Sequence, residues 1–264
     1  KRMTGVETYF LTGTDEHGEK IQKNAEAAGK SPKEFVDEIV AGIKDLWTSL
    51  EISNDDYIRT TDERHEKVVQ EVFSYFLEKG DIYLGQYEGW YCKPCESFFT
   101  QSQLVDGKCP DCGREVSKEK EDAYFFKMSK YTGRLLDYYK SRDNIVTPSS
   151  RLKEVVTSFI EPGLEDLCVS RTSFDWGVKV KENPRHVVYV WLDALLNYIT
   201  ALGYKTENLD TFKKYWLEGE KVHVLGKEIT RFHLLYWPVF LMALDLPLPD
   251  KFLVHGWIIM KEGK

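Results

Sequence analysis

A run of strand-forming residues, a glycine and a helical pattern follow one another over residues 222–240 of the sequence. Residues 222–225 predict a short strand, and Gly226 interrupts it where a backbone turns or lets a ligand approach. From Glu228 onward the apolar residues recur at intervals of three and four, which indicates a helix: Phe232, Leu235, Tyr236, Val239 and Phe240. A strand, a glycine loop and a helix in this order favour a parallel α/β sheet that binds ligands at the carboxyl ends of its strands.

Three side chains of this stretch could serve a ligand. Glu228 lies in the predicted loop, where its carboxylate could accept hydrogen bonds from the vicinal hydroxyls of a ribose. His233 and Trp237 are four residues apart, so they share one face of the helix. The alternative interpretation is an ordinary buried strand, a capping glutamate and a core histidine. Taken alone the stretch favours that alternative, because short motifs often occur without function.

Length and charge limit the class of protein. The 264 residues suffice for one large α/β domain with an insertion, or for two domains. The net charge is −7, from 36 basic and 43 acidic residues, whereas proteins that depend on phosphate contacts usually carry a basic surplus. Any nucleic acid would therefore bind a local patch or a part of the protein outside this sequence.

The sequence shows no pattern of a membrane span or a signal peptide. Its richest apolar stretch, residues 234–246, contains Pro238 and Asp245 and is shorter than the roughly 20 residues that cross a bilayer. Without a signal-peptide pattern, we expect a cytoplasmic protein with no membrane partner. Because residue 1 is Lys1 and a predicted strand follows almost at once, we also expect that N-terminal sequence is missing.

The predicted elements divide the chain into three parts, at residues 1–81, 82–186 and 187–264. The first part predicts half of a doubly wound α/β domain, with a strand at 7–12 and helices at 20–28 and 32–50. A third helix is opened by Thr60 and Glu63 and ended by Gly80. The helix at 32–50 begins with a capping box and predicts one buried apolar face: Phe35, Ile39, Ile43, Leu46, Trp47 and Leu50.

The second part predicts an aromatic-rich β insertion followed by helices at 131–139 and 150–159. The third part predicts strands at 187–191, 222–225 and 252–254, with a helix at 192–202. The insertion therefore splits the α/β domain into two halves.

Two closely spaced cysteine pairs lie in the insertion: Cys92, Cys95, Cys109 and Cys112. Paired Cys-x-x-Cys spacings place four thiolates around one zinc ion, and in a cytosolic protein they favour a metal over disulfides. The alternative is four free thiols. A site closed by four thiolates leaves no open position, so this zinc is expected to be structural. Cys168 stands alone.

Further candidates lie at the ends of predicted strands. Asp15 follows the first strand and could bind a ligand's ammonium group, or equally could cap the next helix. Trp191, Ala194 and Tyr198 share one helix face, which suits either a slot with a polar end or ordinary core packing. Residues 127–130, Lys-Met-Ser-Lys, look like a phosphate-binding signature but lie inside the insertion, so we interpret them as a coincidental match.

Several longer segments together resemble one family. They are Leu-Thr-Gly-Thr-Asp-Glu-His-Gly at 11–18, Tyr-Cys-Lys-Pro-Cys-Glu-Ser-Phe at 91–98, Val-Ser-Arg-Thr-Ser-Phe-Asp-Trp-Gly at 169–177, Tyr-Val-Trp-Leu-Asp-Ala at 189–194 and His-Gly-Trp at 255–257. In sequence, order and spacing they are similar to the methionyl-tRNA synthetases, which are class I aminoacyl-tRNA synthetases. The resemblance covers essentially the whole chain, and its four-cysteine insertion resembles the bacterial forms that bind one zinc.

The resemblance implies a Rossmann-like core, a doubly wound parallel sheet split by a zinc-binding connective insertion, and it implies roles for single residues. Asp15 would bind the methionine ammonium group. Gly226 and Glu228 would meet the ATP ribose, and Trp257 and Ile258 would border the adenine. The methionine pocket would comprise Trp191, Ala194, Tyr198 and His233, with Phe232 and Trp237 as walls that shift when it fills.

Two signatures of the family are absent. The His-Ile-Gly-His signature would precede Lys1, and the sequence ends where the Lys-Met-Ser-Lys-Ser loop would begin, at Lys264. The resemblance implies catalytic roles for Lys264 and for Arg171, an arginine of the insertion that supports the site. Because the missing signatures place donors on the phosphates, we expect residues 1–264 alone to be nearly inactive. The strand missing before Lys1 should be a central one, so its absence would expose sheet edges, and we expect the isolated segment to be unstable.

The reaction implied by the resemblance has two steps. The carboxylate of L-methionine attacks the α-phosphate of ATP, supplied with Mg²⁺, and the methionyl group then passes from the adenylate to tRNA(Met). One alternative is another class I synthetase for an apolar amino acid, although such enzymes carry a larger editing insertion. The other is a zinc-ribbon RNA-binding module without catalysis, against which the acidic charge and the split α/β frame argue.

Overall fold

The computed structural model describes residues 1–95, 97–99, 101–110, 112–172, 174–206 and 208–258. Its strands are β1 (Leu11–Thr14), β2 (Asp56–Arg59), β3 (Ile82–Cys92), β4 (Ser97–Phe99), β5 (Ser117–Phe126), β6 (Val146–Thr147), β7 (Leu167–Cys168), β8 (Ser170–Arg171), β9 (Val187–Val188), β10 (Val222–Gly226) and β11 (Lys251–His255). Its α-helices are α1 (Glu19–Ala27), α2 (Pro32–Ser49), α3 (Glu63–Glu78), α4 (Thr132–Lys140), α5 (Ser149–Val155), α6 (Val190–Thr200), α7 (Asp210–Phe212) and α8 (Thr230–Ala243).

Parallel strands form the α/β part of the fold. Strand β1 pairs with β2, and a second sheet has the order β10-β11-β6. In that sheet Gly226 lies opposite His255, so the carboxyl ends of β10 and β11 are level. The fold is therefore mixed α/β with parallel sheets, and its candidate ligand-binding loops follow the strands as the sequence indicates.

An antiparallel hairpin forms the insertion. Strands β3 and β5 pair continuously from Ile82 opposite Phe126 to Tyr91 opposite Ser117. Strand β4 lies on the other side of β3, next to the cysteines. The base of the hairpin joins the main core, because Ile82 and Phe126 are buried together with residues of α3 and α8.

Helix α8 is the centre of the main core. All of its residues except Arg231 and Tyr236 are buried. Helix α6 packs against α3 and α8, so the side chains of α6 and α8 face one another in the interior. Pro238 lies inside α8, although proline has no N–H to donate to a carbonyl of the preceding turn.

A cavity of about 400 Å³ lies between β1 and β10. Its lining includes Tyr9, Tyr198, Trp216 and His223. It therefore borders the aromatic side chains that α6 and β10 contribute to the candidate site.

The structure corrects the predicted buried face of α2. Val36 and Val40 are buried, whereas Ile39, Leu46 and Leu50 are 45, 50 and 58% exposed. Helix α2 contacts α1, whose Ala25 is also completely buried. Of the predicted face, Phe35, Ile43 and Trp47 are half-buried, so that face is only partly covered. The predicted capping box of Ser31 and Glu34 is confirmed.

Two strand predictions also needed correction. The first strand is Leu11–Thr14 rather than residues 7–12, because Phe10 donates its N–H to the Asp55 carboxylate instead of to a neighbouring strand. The predicted strand at 187–191 contains only Val187–Val188, which pairs antiparallel with β8. Helix α6 begins at Val190, so that Trp191 is helical. Strands β2 and β6 were not predicted.

Among the helices of the described chain, none combines the length and the apolarity that crossing a membrane requires.

Candidate active site

The loop after β1 presents an exposed carboxylate between firmly held neighbours. Asp15 is exposed, while Glu16 and His17 are buried. The Glu16 carboxylate accepts hydrogen bonds from Arg59 Nε and Nη2 at 2.7 and 2.8 Å, and from the hydroxyl of Thr61 at 2.6 Å. Bidentate pairs of this kind fix geometry as well as charge. The Asp15 carboxylate is therefore displayed on a loop whose following residues are anchored in the core.

Helices α6 and α8 bring the predicted pocket residues together. Trp191 stacks on Phe232 with ring centroids 3.6 Å apart and an interplanar angle of 17°. Tyr198 contacts both His233 and Trp237, with centroids 5.7 Å apart in each case. Ala194, on the same face of α6 as Trp191 and Tyr198, is buried and leaves the space of a small side chain. The indole Nε1 of Trp191 is buried and hydrogen-bonds to none of the described residues.

The hydrogen bonds of His233 define its tautomer. Nδ1 lies 3.0 Å from the carbonyl oxygen of Ile229, which can only accept, so Nδ1 carries the proton. Nε2 is then an acceptor, and the Tyr198 hydroxyl donates to it over 2.7 Å. Burial lowers the pKa of His233 to about 4 and raises the pKa of the Tyr198 phenol. Both groups are therefore neutral near pH 7, and each hydrogen-bonding proton is already used.

His223 belongs to the same cluster and was not predicted as a site residue. Its Nε2 accepts a hydrogen bond from the indole Nε1 of Trp237 at 3.1 Å, and its ring meets Tyr198 edge-on at 4.4 Å. Burial, followed by the nearby His233, lowers the pKa of His223 to about 3. The available signal was alternation along β10, where a polar residue stands at a buried position between the exposed Val222 and Val224.

Gly226 and Glu228 are in direct contact at the end of β10. A methyl group on Gly226 would lie 2.5 Å from Glu228 Oε1, so a side chain at this position would displace the carboxylate. The Gly226 backbone is extended, with φ of −74°, so it is the closeness of the Glu228 carboxylate, rather than the backbone conformation, that favours a glycine here. Glu228 itself is exposed, and Trp257 and Ile258, which follow β11, are 44 and 83% exposed.

Arg171 is placed deep in the molecule. It is 1% exposed, and its guanidinium lies 5.4 Å from the ring centre of Tyr91 and 4.4 Å from that of Tyr189. Tyr189 is the N-cap residue of α6, whereas Tyr91 precedes Cys92, the first of the four clustered cysteines. The arginine thus joins the insertion to the start of the helix that carries Trp191.

Arg231 makes a second contact between the insertion and the pocket. Its guanidinium lies 4.8 Å from the ring centre of Phe232, 5.3 Å from that of Phe159 and 5.6 Å from that of Phe99. Phe99 belongs to β4 and is buried against the cysteines. One cation therefore faces both a pocket wall and the cysteine cluster's own core.

The four predicted metal ligands converge. The Sγ atoms of Cys92, Cys95, Cys109 and Cys112 all lie within 4.8 Å of one another. Those of Cys92 and Cys112 are 3.6 Å apart, and those of Cys95 and Cys109 are 3.7 Å apart. A disulfide would bring two sulfurs to about 2.05 Å. A tetrahedral site with Zn–S bonds of about 2.3 Å separates them by about 3.8 Å, so the cluster fits zinc.

The Lys-Met-Ser-Lys segment at 127–130 is occupied with internal contacts. Lys130 Nζ lies 2.5 Å from the buried carboxylate of Asp81, and the Ser129 hydroxyl donates to Asp166 at 2.7 Å. Met128 is 1% exposed. These contacts agree with the interpretation of a coincidental match. Lys264, for which a catalytic role is expected, lies outside the described residues.

Comparisons with known proteins agree with this arrangement. A family model described as tRNA synthetases class I (M) matches residues 1–121 and 112–264. The methionine–tRNA ligase of Clostridium acetobutylicum is 57% identical over 264 residues, and that of Caldanaerobacter subterraneus subsp. tengcongensis is 60% identical over 264 residues. Each match covers 100% of this chain and 41% of the relative. The chain thus spans about two fifths of the length of these relatives.

Solved structures give the same result. A crystal structure of Mycobacterium tuberculosis methionyl-tRNA synthetase bound by methionyl-adenylate superposes with a TM-score of 0.91 at 42% identity. This match covers 98% of the present chain and 52% of that chain. The free-state structure of the same Mycobacterium tuberculosis enzyme superposes with a TM-score of 0.75 at 41% identity, covering 84% of this chain and 45% of that one. The strand-end loops, the cysteine cluster and the matched residues together establish that this chain belongs to the methionyl-tRNA synthetase family of class I aminoacyl-tRNA synthetases.

Proposed function

We propose that the protein containing this chain is a methionine–tRNA ligase. It activates L-methionine with ATP and Mg²⁺ to methionyl-adenylate and then transfers the methionyl group to tRNA(Met), in the cytoplasm. The observation that carries the proposal is the cluster of aromatic side chains between α6 and α8, whose polar end is the Tyr198–His233 pair. The relatives named methionine–tRNA ligase support it, as does the methionyl-adenylate in the superposed structure.

The pocket suits an unbranched thioether. Its walls are aromatic, and sulfur interacts favourably with aromatic rings. Because the Tyr198 proton is donated to His233 and the His233 proton to Ile229, the pair has no spare donor for a polar side chain. A thioether needs no strong donor, whereas the oxygen of a buried amide or hydroxyl would lose its hydrogen bonds to water and receive none from this pair. Trp191 and Phe232 are in contact, so the entering side chain must part this stack.

The remaining groups suit the other parts of the substrates. The exposed carboxylate of Asp15 would pair with the methionine ammonium group. Glu228, at the end of β10, would accept hydrogen bonds from the ribose hydroxyls of ATP, with Gly226 providing the room. Trp257 and Ile258 would border the adenine. The chemistry consists of positioning and charge stabilisation, for which preorganised groups are the main requirement.

Two groups would support this site without touching the reacting atoms. Zinc held by the four cysteines would fix the tip of the β3–β5 hairpin as a structural ion. Arg171 would hold the insertion against α6. The proposal also gives Lys264 the catalytic role that the resemblance implies. The division into two catalytic halves, residues 1–81 and 187–264, around an insertion at 82–186 belongs to the same proposal.

The test is methionine-dependent ATP–pyrophosphate exchange by the full-length protein, followed by charging of tRNA(Met). Leucine, isoleucine and valine serve as competing amino acids, since they are the substrates of other class I synthetases for apolar residues. Exchange with methionine at least a hundredfold above the other three supports the proposal. Exchange with another amino acid, or RNA binding without any exchange, overturns it.

A further inference from the structure

A buried network connects the Asp15 loop to the helix that carries Trp191 and Tyr198. Its centre is Asp193 on α6, which is completely buried. Asp193 Oδ2 lies 2.6 Å from Nδ1 of His17, and Oδ1 lies 2.8 Å from Nε2 of His65. His65, on α3, also bonds the hydroxyl of Thr200 at the far end of α6, over 2.9 Å. Both carboxylate oxygens are therefore occupied.

The titratable groups around His17 come from three elements. Asp193 faces it from α6, and His65 and Glu66 lie on α3, with Glu66 Oε1 3.6 Å from His17 Nε2. Asp15 is on its own loop. Burial by itself would lower the pKa of His17, but Asp193, Glu66 and Asp15 raise it to about 10. His17 therefore carries a proton on each ring nitrogen near pH 7, and Nδ1 donates to Asp193.

The backbone around His17 is fixed from the opposite side as well. The indole Nε1 of Trp176 donates to the carbonyl of Glu16 at 2.6 Å, and the amide of Gly18 donates to the Trp176 carbonyl at 3.1 Å. The rings of His17 and Trp176 meet edge-on at 5.5 Å. The segment that follows Asp15 thus lies between α6 and the loop of Trp176.

Packing alone does not account for a buried ion pair here. Charged groups are costly to bury, and apolar side chains of similar size often stabilise a core as well or better. A buried pair can instead specify one arrangement of the elements that it joins. Here those elements are the loop that displays Asp15 and the helix that carries Trp191, Ala194 and Tyr198.

We propose that His17 is a positioning residue, which donates to Asp193 and thereby holds the Asp15 carboxylate in register with the side-chain pocket on α6. This inference rests on the proposed function, because it assumes that Asp15 receives the methionine ammonium group. His17 does not touch the substrate. Its effect on methionine passes through Asp15.

Two neutral replacements separate positioning from bulk and charge. His17→Asn places an amide N–H where Nδ1 stands and keeps the donor to Asp193. His17→Gln places its amide farther out, near Nε2, and loses that donor. In the full-length protein we expect His17→Gln to raise KM for methionine about tenfold with kcat changed less than threefold. His17→Asn should change KM less than threefold.

A control variant and a double-mutant cycle with Asp15 complete the test. His65→Gln keeps a donor to Asp193 near Nε2 but loses the bond to Thr200, so it disturbs the same network from α3 and should change the unfolding midpoint without changing KM for methionine. In an Asp15→Ala background, the effect of His17→Gln on KM should disappear. Circular dichroism verifies that each variant is folded, and His17→Asn provides the comparison should another variant unfold.

Equal effects of His17→Asn and His17→Gln would overturn the inference. So would an undiminished His17→Gln effect in the Asp15→Ala background, or a KM increase in His65→Gln as large as that in His17→Gln. If the unmodified full-length protein neither binds methionine in calorimetry nor catalyses exchange with it, the proposed function itself has failed.

Discussion

The hydroxyl of Tyr198 donates to Nε2 of His233 over 2.7 Å because the other ring nitrogen already donates to the carbonyl of Ile229. The direction of this bond follows from the chemistry of the three groups. It leaves a polar pair that is satisfied within the protein, at the end of a pocket with aromatic walls. The pair thus selects by offering no hydrogen-bond donor to a side chain that enters.

Removing the Tyr198 hydroxyl should cost stability. Tyr198→Phe leaves the buried Nε2 of His233 without its donor, a loss of about 1–3 kcal/mol in the free energy of unfolding. Urea denaturation measures it. The matched control is Tyr83→Phe, because Tyr83 is partly exposed and its bond to Asp166 lies at the surface. An equal change in both variants would show that the Tyr198–His233 bond contributes no more to the free energy of unfolding than a bond at the surface.

The two histidines of the cluster should make the protein sensitive to acid. Burial lowers the pKa of His223 to about 3 and that of His233 to about 4, whereas a histidine of the unfolded chain titrates near 6.5. The unfolded state therefore binds more protons below pH 6.5, and stability falls as the pH decreases from there toward 4. Each histidine contributes at most about 1.4 kcal/mol per pH unit.

Urea denaturation at several pH values between 4 and 7 measures this slope. His233→Gln removes one titrating group and should reduce the slope relative to the unmodified protein. His255→Gln is the matched control, because it makes the same substitution at an exposed histidine outside the cluster. A slope unaffected by His233→Gln would contradict the lowered pKa.

The cysteine cluster should hold one zinc ion per chain. Metal analysis of purified protein should find one equivalent, lost in Cys95→Ser and retained in Cys168→Ser. Cys168 lies away from the cluster and contacts Arg171, with its Sγ 3.5 Å from Nη1. Absence of stoichiometric zinc, or loss of zinc from Cys168→Ser, would refute the ligand assignment.

Gly226→Ala should weaken ATP binding and leave the stability of the fold nearly unchanged. The added methyl group meets the flexible carboxylate of Glu228, which can move away, so the backbone need not shift. We expect weaker ATP binding in calorimetry, similar in size to that of Glu228→Gln, with a change in unfolding free energy within about 1 kcal/mol. A large loss of stability with unchanged ATP affinity would indicate that the contact is structural.

Asp15→Ala should weaken the binding of methionine far more than the binding of ATP. It removes a charge-assisted contact worth roughly 1.5–3 kcal/mol, which corresponds to about a tenfold to hundredfold loss of methionine affinity. Calorimetry with each ligand on the full-length protein makes the comparison. Asp175→Ala is a control, because Asp175 is an exposed acid paired with Lys179 at 2.6 Å. Equal losses for methionine and ATP would count against the ammonium role.

The sequence predicted the elements that carry strong local signals. Spacing and residue type predict the capping box at Ser31, the strand at 222–225 and the four-cysteine cluster. The structure contains all three. The face of α2 could not be predicted in this way. Its apolar stripe is real, but the fully buried residues of the helix are Val36 and Val40, whereas three residues of the stripe are exposed. Which side of a helix is covered depends on its neighbours.

The parts of the candidate site that remained hidden are long-range pairs. Asp193 meets His17 and His65, which lie 176 and 128 residues away in the sequence. His223 acquires its partner only when α8 brings Trp237 against β10. No periodicity or spacing rule connects such positions, because their proximity is a property of the assembled sheet and helices.

Helix α8 lies at the centre of the main core and also forms a wall of the candidate pocket, and only Arg231 and Tyr236 of its residues are less than fully buried. A substitution that reshapes the pocket for another amino acid therefore also alters the packing on which folding depends. Evolution toward a new side-chain specificity would have to begin with compensating changes elsewhere, or proceed through weakly folded intermediates. This overlap makes the pocket resistant to drift, and it would oblige a designer to stabilise the surrounding core before altering it.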